Sequence, residues 1–395
     1  MSAVNYFSEL QGDASFSGNR TKEAECMRRY DVNGDGVLDV AEFHGLCEDL
    51  LTDENGVPTA NQSETQAIFE KLDENQDGRI DADEFHILWR YWLPMILAPK
   101  SAFIVVDVQH DFIDGSLAVN EGETIVPIIN KIIEAVPFSQ VMYTFDWHPD
   151  DHISFFRNLG LRELSPSSPL KKEEAKVFDT VIFIGPPKTE QTLWPAHCVQ
   201  NSPGARLHND LKIAENHTNI FKGTNPNIDS YSAFFDNNRL SQTSLTQELC
   251  SRRITDVYVC GLAYDVCVRH SAIDATQLGF RTFVIEDATK GLTPESCEKA
   301  KKDMQDSGCL FIPSSKVNGM VTASTRLPVM ALKAASNVAE ARRKAKEKLA
   351  AGVEEEDDTH GNQARPSDSL FPAAHLKEPA LPVNGFDSNV SLLDF

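Results

Sequence analysis

The 395-residue sequence has no apolar run approaching the roughly eighteen residues of a membrane span. No C-x-x-C pair occurs among its eight cysteines (26, 47, 198, 250, 260, 267, 297 and 309), and eight in so long a chain lack the density of a disulfide scaffold. Positive charge is also short: 37 Lys and Arg stand against 59 Asp and Glu, a net charge of −22. A field of that sign repels a phosphate backbone and an anionic bilayer, so neither nucleic acid nor membrane is an expected partner. It suits metal cations. The first twenty residues carry neither a basic n-region nor an apolar h-region, which argues against a secretory signal. These absences together predict reduced thiols in a cytoplasmic protein, with the nucleus also open to it.

What is present divides into unequal parts. At this length two or three folded units are expected, one of them with a substantial core. Residues 1–98 hold 20 Asp and Glu against 7 Lys and Arg, a net of −13 and more than half of the total charge. Within them a twelve-residue pattern occurs twice, at 31–42 and 73–84. Oxygen-bearing side chains stand at positions 1, 3 and 5 (Asp31, Asn33, Asp35; Asp73, Asn75, Asp77), and a glycine at position 6 permits a sharp turn. Position 7 offers a backbone carbonyl (Val37, Arg79), position 9 another carboxylate (Asp39, Asp81), and position 12 a glutamate able to bind with both oxygens (Glu42, Glu84). Hard oxygen donors at these spacings fit the EF-hand calcium loop. Leu38 and Ile80 occupy position 8, where paired loops meet, and flanking apolar residues such as Phe43, Leu46, Phe69 and Phe85 recur at helical spacing. An all-α EF-hand pair is expected over 1–98.

From Ala102 to about Pro313 short apolar runs alternate with amphipathic stretches. Strands are expected at 102–107, 140–146, 217–221, 256–261 and 281–286, and helices near 122–136, 242–253, 265–278 and 294–307. That alternation marks a parallel sheet covered on both faces, a three-layer α/β domain over 99–330. A polar segment at 157–192 interrupts it. Residues 331–395 read as a charged helix followed by a disordered acidic tail, with little apolar material to bury.

Ligands of open parallel sheets bind beyond the carboxyl ends of the strands. Polar groups collect at those ends. Strand one runs into Asp107, strand two into Asp146, Trp147 and His148, strand three into Lys222 and Gly223, and strand four into a loop reaching Cys267. Cys267 begins a helix, whose macrodipole together with Lys222 is expected to favour thiolate. Asp107 can take the thiol proton and return it to a leaving group. Asp146, His148 and His152, with His197 from the next loop, offer the carboxylate and imidazole set that suits zinc, iron or manganese. Singly each is as ordinary as a helix cap or a core cysteine; their convergence on one crevice carries the reading.

The motifs D-x-Q-x-D-F, D-W-H-P-x-x-H-x-S-F, L-W-P-x-H-C, K-G and G-x-A-x-x-x-C, in this order, resemble the nicotinamidases of the isochorismatase-like cysteine hydrolases over about residues 100–313. The resemblance implies Cys267 as nucleophile, Asp107 as acid and base, and Lys222 as their partner. It also implies a divalent metal, zinc ahead of iron or manganese, on Asp146, His148 and His197, with His152 a ligand in some relatives and merely near the metal in others. Phe112, Trp194 and Tyr231 match aromatics that sandwich a pyridine ring. A cis peptide before Ala263 is implied, with the backbone N–H groups of Ala263 and Cys267 forming an oxyanion hole. The expected activity is hydrolysis of nicotinamide to nicotinic acid and ammonia in NAD salvage, with room for a homo-oligomer. The rivals are a hydrolase of another small amide and a calcium sensor with an inactive hydrolase domain.

Overall fold

The computed structural model describes residues 6–350, so the acidic tail expected beyond them lies outside the described residues. Among the described residues no helix is long and apolar enough to cross a membrane.

The acidic N-terminal part is helical, as expected. Both calcium-loop patterns sit between helices, Arg20–Tyr30 and Val40–Leu50 for the first, Gln62–Leu72 and Ala82–Ile87 for the second. Position 9 of each loop doubles as the N-cap of the following helix. Asp39 and Asp81 accept from the backbone N–H of Glu42 and Glu84, whose carboxylates accept in return. The capping box therefore fixes the glutamate of position 12 toward its own loop. Leu38 and Ile80 pair antiparallel through two backbone hydrogen bonds of 3.0 and 2.9 Å. The loops meet where the repeat placed them.

Among the described residues eight strands follow in chain order: β1 (Ser101–Val106), β2 (Gln140–Asp146), β3 (Thr180–Phe183), β4 (Thr189–Thr192), β5 (His217–Lys222), β6 (Asp256–Leu262), β7 (Arg281–Lys290) and β8 (Leu310–Ile312). Among the described residues six of them form one sheet in the order β5-β2-β1-β6-β7-β8, every pairing parallel. β1, β2 and β6 are buried along their whole length, which accounts for their unbroken apolar runs. One face packs against Val126–Ala135 and Ser314–Val321 and the other against Leu245–Ser251 and Arg269–Gln277.

Three features differ from the sequence reading. The polar segment 157–192 contains the antiparallel hairpin β3–β4, which closes a small core of Ile153, Leu159, Val181, Phe183 and Leu193. β8, only three residues long, is too short to stand out as an apolar run. The charged C-terminal segment is a helix, Pro328–Ala350, but it is not an appendage: Ala331, Ala334, Ala335 and Val338 are buried in the core of the EF-hand pair. Alanine is a weak hydrophobic signal in sequence, and the four residues form a stripe only once the helix is drawn.

The EF-hand pair abuts the beginnings of the strands. Arg281, fully buried at the start of β7, holds the Asp256 carboxylate with two hydrogen bonds of 2.7 and 2.8 Å and donates to the Met95 carbonyl at the end of the N-terminal module. Burial alone raises the Asp256 pKa, and Arg281 opposes it. Replacing Arg281 by methionine strands that carboxylate, at a cost of about 3–5 kcal/mol. A thermal melt should show it, and Asp256→Asn added to Arg281→Met should recover most of the loss.

Candidate active site

The sheet delivers its polar residues to one end. β1 ends at Val106, and Asp107 follows with φ of 49°, a left-handed conformation uncommon for a residue with a Cβ. The strain is held by Thr144 on β2, whose hydroxyl accepts from the Asp107 N–H at 3.1 Å and donates to its Oδ1. Lys222 ends β5, and its Nζ lies 2.9 Å from Asp107 Oδ2 and 3.4 Å from Cys267 Sγ. It also pairs with Asp146 and donates to the Ser230 carbonyl at 3.0 Å. Cys267 stands in the first turn of the helix after β6. Asp107, Lys222 and Cys267, spread over more than a hundred residues of chain, are thus buried side by side.

One ammonium between two carboxylates sets the electrostatics. Against burial, Asp107 and Asp146 hold Lys222 charged, its pKa well above the ordinary lysine value. Also against burial, Lys222 and His148 keep Asp146 well below the usual carboxylate range. Burial wins at Asp107 and raises it despite Lys222. The thiol of Cys267 is pushed well up by burial, with Lys222 pulling the other way and Asp107 and Asp146 adding to the rise. Burial and the two carboxylates thus oppose the thiolate that the helix and Lys222 are expected to favour. That lysine is shared with two carboxylates, and a base stands near enough to take the thiol proton. Asp107 is that base, its Oδ2 in the ion pair with Lys222.

Beside this trio, Asp146, His148 and His197 bring three ligand atoms within 4.8 Å of one another. The Nδ1 of His148 faces the Gly223 carbonyl at 2.9 Å and that of His197 the Pro195 carbonyl at 2.8 Å. Each carbonyl fixes its ring with the proton on Nδ1, leaving the Nε2 lone pair free. Those Nε2 atoms lie 3.4 and 3.6 Å from Asp146 Oδ2, and His148 Nε2 is buried with no hydrogen-bond partner among the described residues. A divalent transition metal fits this donor set. His152 stacks on His148 at 4.0 Å between ring centroids and its Nε2 is likewise without a hydrogen-bond partner among the described residues. Burial holds His152 well below the ordinary histidine pKa, so it is neutral. It groups with His148 and Asp229 instead of with Asp146 and His197.

A cleft of about 410 Å³ opens over these groups. Phe112, Trp194, Tyr231, Ala263 and Cys267 all line it, as does Asp229, which the sequence reading missed. Asp229 accepts from Gln191 on β4 and from the Ser230 N–H, at 2.9 and 2.8 Å. The signal available for it was its position in a loop after a strand's carboxyl end, seven residues beyond Lys222. The bond between Leu262 and Ala263 is cis. The remaining motif residues are scaffolding. Gln109 bridges the Asp146 backbone and the Ala205 carbonyl, and Asp111 accepts from Cys198 N–H.

The calcium loops also fit their ion. Asp73 Oδ1 is buried with no hydrogen-bond partner among the described residues, while Oδ2 accepts from Gly78. Gly36 and Gly78 take φ of 85° and 82°, the turn that position 6 requires.

Known proteins share these features. The isochorismatase domain family matches residues 101–315 and the EF-hand domain pair matches residues 21–90. The nicotinamidase of Escherichia coli (strain K12) is 39% identical over 220 residues, 53% of this chain and 93% of that protein. The nicotinamidase of Acinetobacter baylyi is 39% identical over 228 residues, covering 57% and 98% respectively. Among solved structures, an Acinetobacter baumanii nicotinamidase pyrazinamidease is 41% identical with a TM-score of 0.48, covering 55% of this chain and 98% of its own.

Proposed function

The chain belongs to the isochorismatase family and carries an EF-hand pair, and from that premise we propose that it is an amidohydrolase of nicotinamide, releasing nicotinic acid and ammonia in NAD salvage. The observation that carries this reading is the meeting of Asp107, Lys222 and Cys267 at an aromatic-lined cleft beside Asp146, His148 and His197. Phe112, Trp194 and Tyr231 offer apolar surface to a flat ring. A divalent ion on Asp146, His148 and His197, zinc ahead of iron or manganese, would supply a Lewis acid for the ring nitrogen.

The chemistry of the chain's own groups follows from the placement of Asp107 and Cys267 on either side of Lys222. Asp107 takes the proton of Cys267 as Sγ attacks the carboxamide carbon, so little free thiolate builds up. Lys222 stabilises the sulfur and both carboxylates while the charge moves. Backbone N–H groups of Ala263 and Cys267 receive the carbonyl oxygen as it becomes an oxyanion. The C–N bond breaks, Asp107 returns the proton to departing ammonia, and a thioester remains. Water then gives a proton to Asp107 and attacks, the C–S bond breaks, and Cys267 regains its proton.

We also propose the division into an EF-hand unit over 1–98, a hydrolase unit over 99–330 and a tail region from 331, whose helix serves the first unit. Ammonia release by the full-length protein tests the activity. Nicotinamide should yield ammonia and nicotinic acid in equal amounts, a chelator should stop the release, and zinc, iron or manganese should restore it. No release under any metal loading would overturn the reading.

A further inference from the structure

The helix Pro328–Ala350 has the chemistry of an EF-hand target. It is basic, with six Lys and Arg against two Glu, while the module beneath it is strongly acidic. Four of its buried residues, Ala331, Ala334, Ala335 and Val338, follow the i, i+3, i+4, i+7 spacing by which amphipathic helices occupy apolar grooves, while Met330 at its start packs in the hydrolase core. The four share one core with Phe43, Phe69, Leu72 and Trp92, from helices on both sides of the calcium loops. Small side chains at 331, 334 and 335 allow close approach, and Trp92 Nε1 donates to the Ala331 carbonyl at 2.9 Å.

The helix also reaches a calcium loop. Arg342 pairs with Glu74, and Lys346 Nζ lies 2.7 Å from the same carboxylate. Glu74 is position 2 of the second loop, next to Asp73, and its N–H donates to Glu84 Oε1 at 2.7 Å. A single residue therefore joins the helix to the two acidic ligands that begin and end that loop.

We propose that the EF-hand pair binds the chain's own C-terminal helix as its target, and that calcium at the second loop and docking of Pro328–Ala350 strengthen each other. Calcium orders the loop and the helices flanking it, which form the groove; a seated helix holds Glu74 and the same flanking helices in place. Linkage makes the coupling reciprocal, so it is measurable from either side. The inference rests on calcium filling the loops, which calorimetry on the wild type reports separately. The rival is a static cap on a buffer-type pair that barely responds to its ion.

Hydrogen exchange on the full-length protein decides between them. With calcium, the amides of residues 331–345 should exchange roughly tenfold more slowly than with a chelator, within the usual range of coupling. Glu84→Gln should lose that slowing. Conversely, Ala334→Gln with Ala335→Gln, neutral and helix-compatible but too large for the groove, should weaken calcium binding at least about threefold. Ammonia release from nicotinamide checks that the hydrolase remains folded in each variant. Bound calcium with equal exchange rates in the wild type would overturn the linkage, as would a smaller change in affinity in a folded double variant. If that variant unfolds the module, the wild-type exchange comparison decides by itself. Absence of calcium binding in the wild type would overturn the loop assignment and the linkage together.

Discussion

Cys267→Ala should lower nicotinamide turnover by roughly 10⁴-fold or more, the scale on which a covalent nucleophile fails when removed. The protein should still fold and bind nicotinic acid. Lys222 keeps its two carboxylate partners without the sulfur, so the substitution leaves no buried charge unpaired. In the proposed reading ring recognition belongs to Phe112, Trp194 and Tyr231, which line the cleft. Neither Cys198 nor Cys260 can take over. Cys260 is buried in the apolar core with Phe103 and Tyr258, and burial holds its thiol well above the ordinary range. Cys198 is buried too, its thiol raised by burial and then by Asp146. Alanine at either position should leave turnover close to wild type. A Cys267→Ala protein retaining a tenth of the rate would remove the nucleophile from this position.

Much of this site could be read before the fold, because parallel sheets make the geometry simple. A strand's carboxyl end is visible in sequence as the point where an apolar run stops, and all such ends lie on one side. Asp107, Asp146, Lys222 and the loop to Cys267 are found that way. Asp229 lies seven residues past such an end, and what singles it out is a contact with Gln191 that joins a separate hairpin to a loop without periodicity. The electrostatic setting of Cys267 is only half legible for a related reason. Sequence shows that a lysine is near, not that two carboxylates share it, and the balance between burial and one divided charge exists only in three dimensions. The C-terminal helix was legible as a helix but not as a buried one, for its stripe is made largely of alanine.

The pairing of Lys222 with Gly223 looked like a short motif and proves to be a steric requirement. Gly223 has φ of +64°, and a Cβ there would overlap the His148 ring. Its carbonyl is the group that fixes the His148 tautomer. This yields a graded expectation for the metal. Loss of an outer partner alone costs about 10- to 100-fold in metal affinity. Removing two of the three proposed ligands in His148→Ala with His197→Ala should therefore leave no metal that elemental analysis detects after gel filtration, and raise KM more than it lowers kcat. Gly223→Ala deletes no ligand atom, yet it forces the ring aside and strains the backbone, so metal content and KM should move in the same direction by less. Asp111→Asn, bonded to the Cys198 backbone beside His197 but outside the ligand set, should hold its metal. A double histidine variant that retained a full equivalent would place the ligands elsewhere. Loss of metal in Gly223→Ala, with both histidines intact, would instead locate the ion by the position of one ring, which no deletion of a ligand can do.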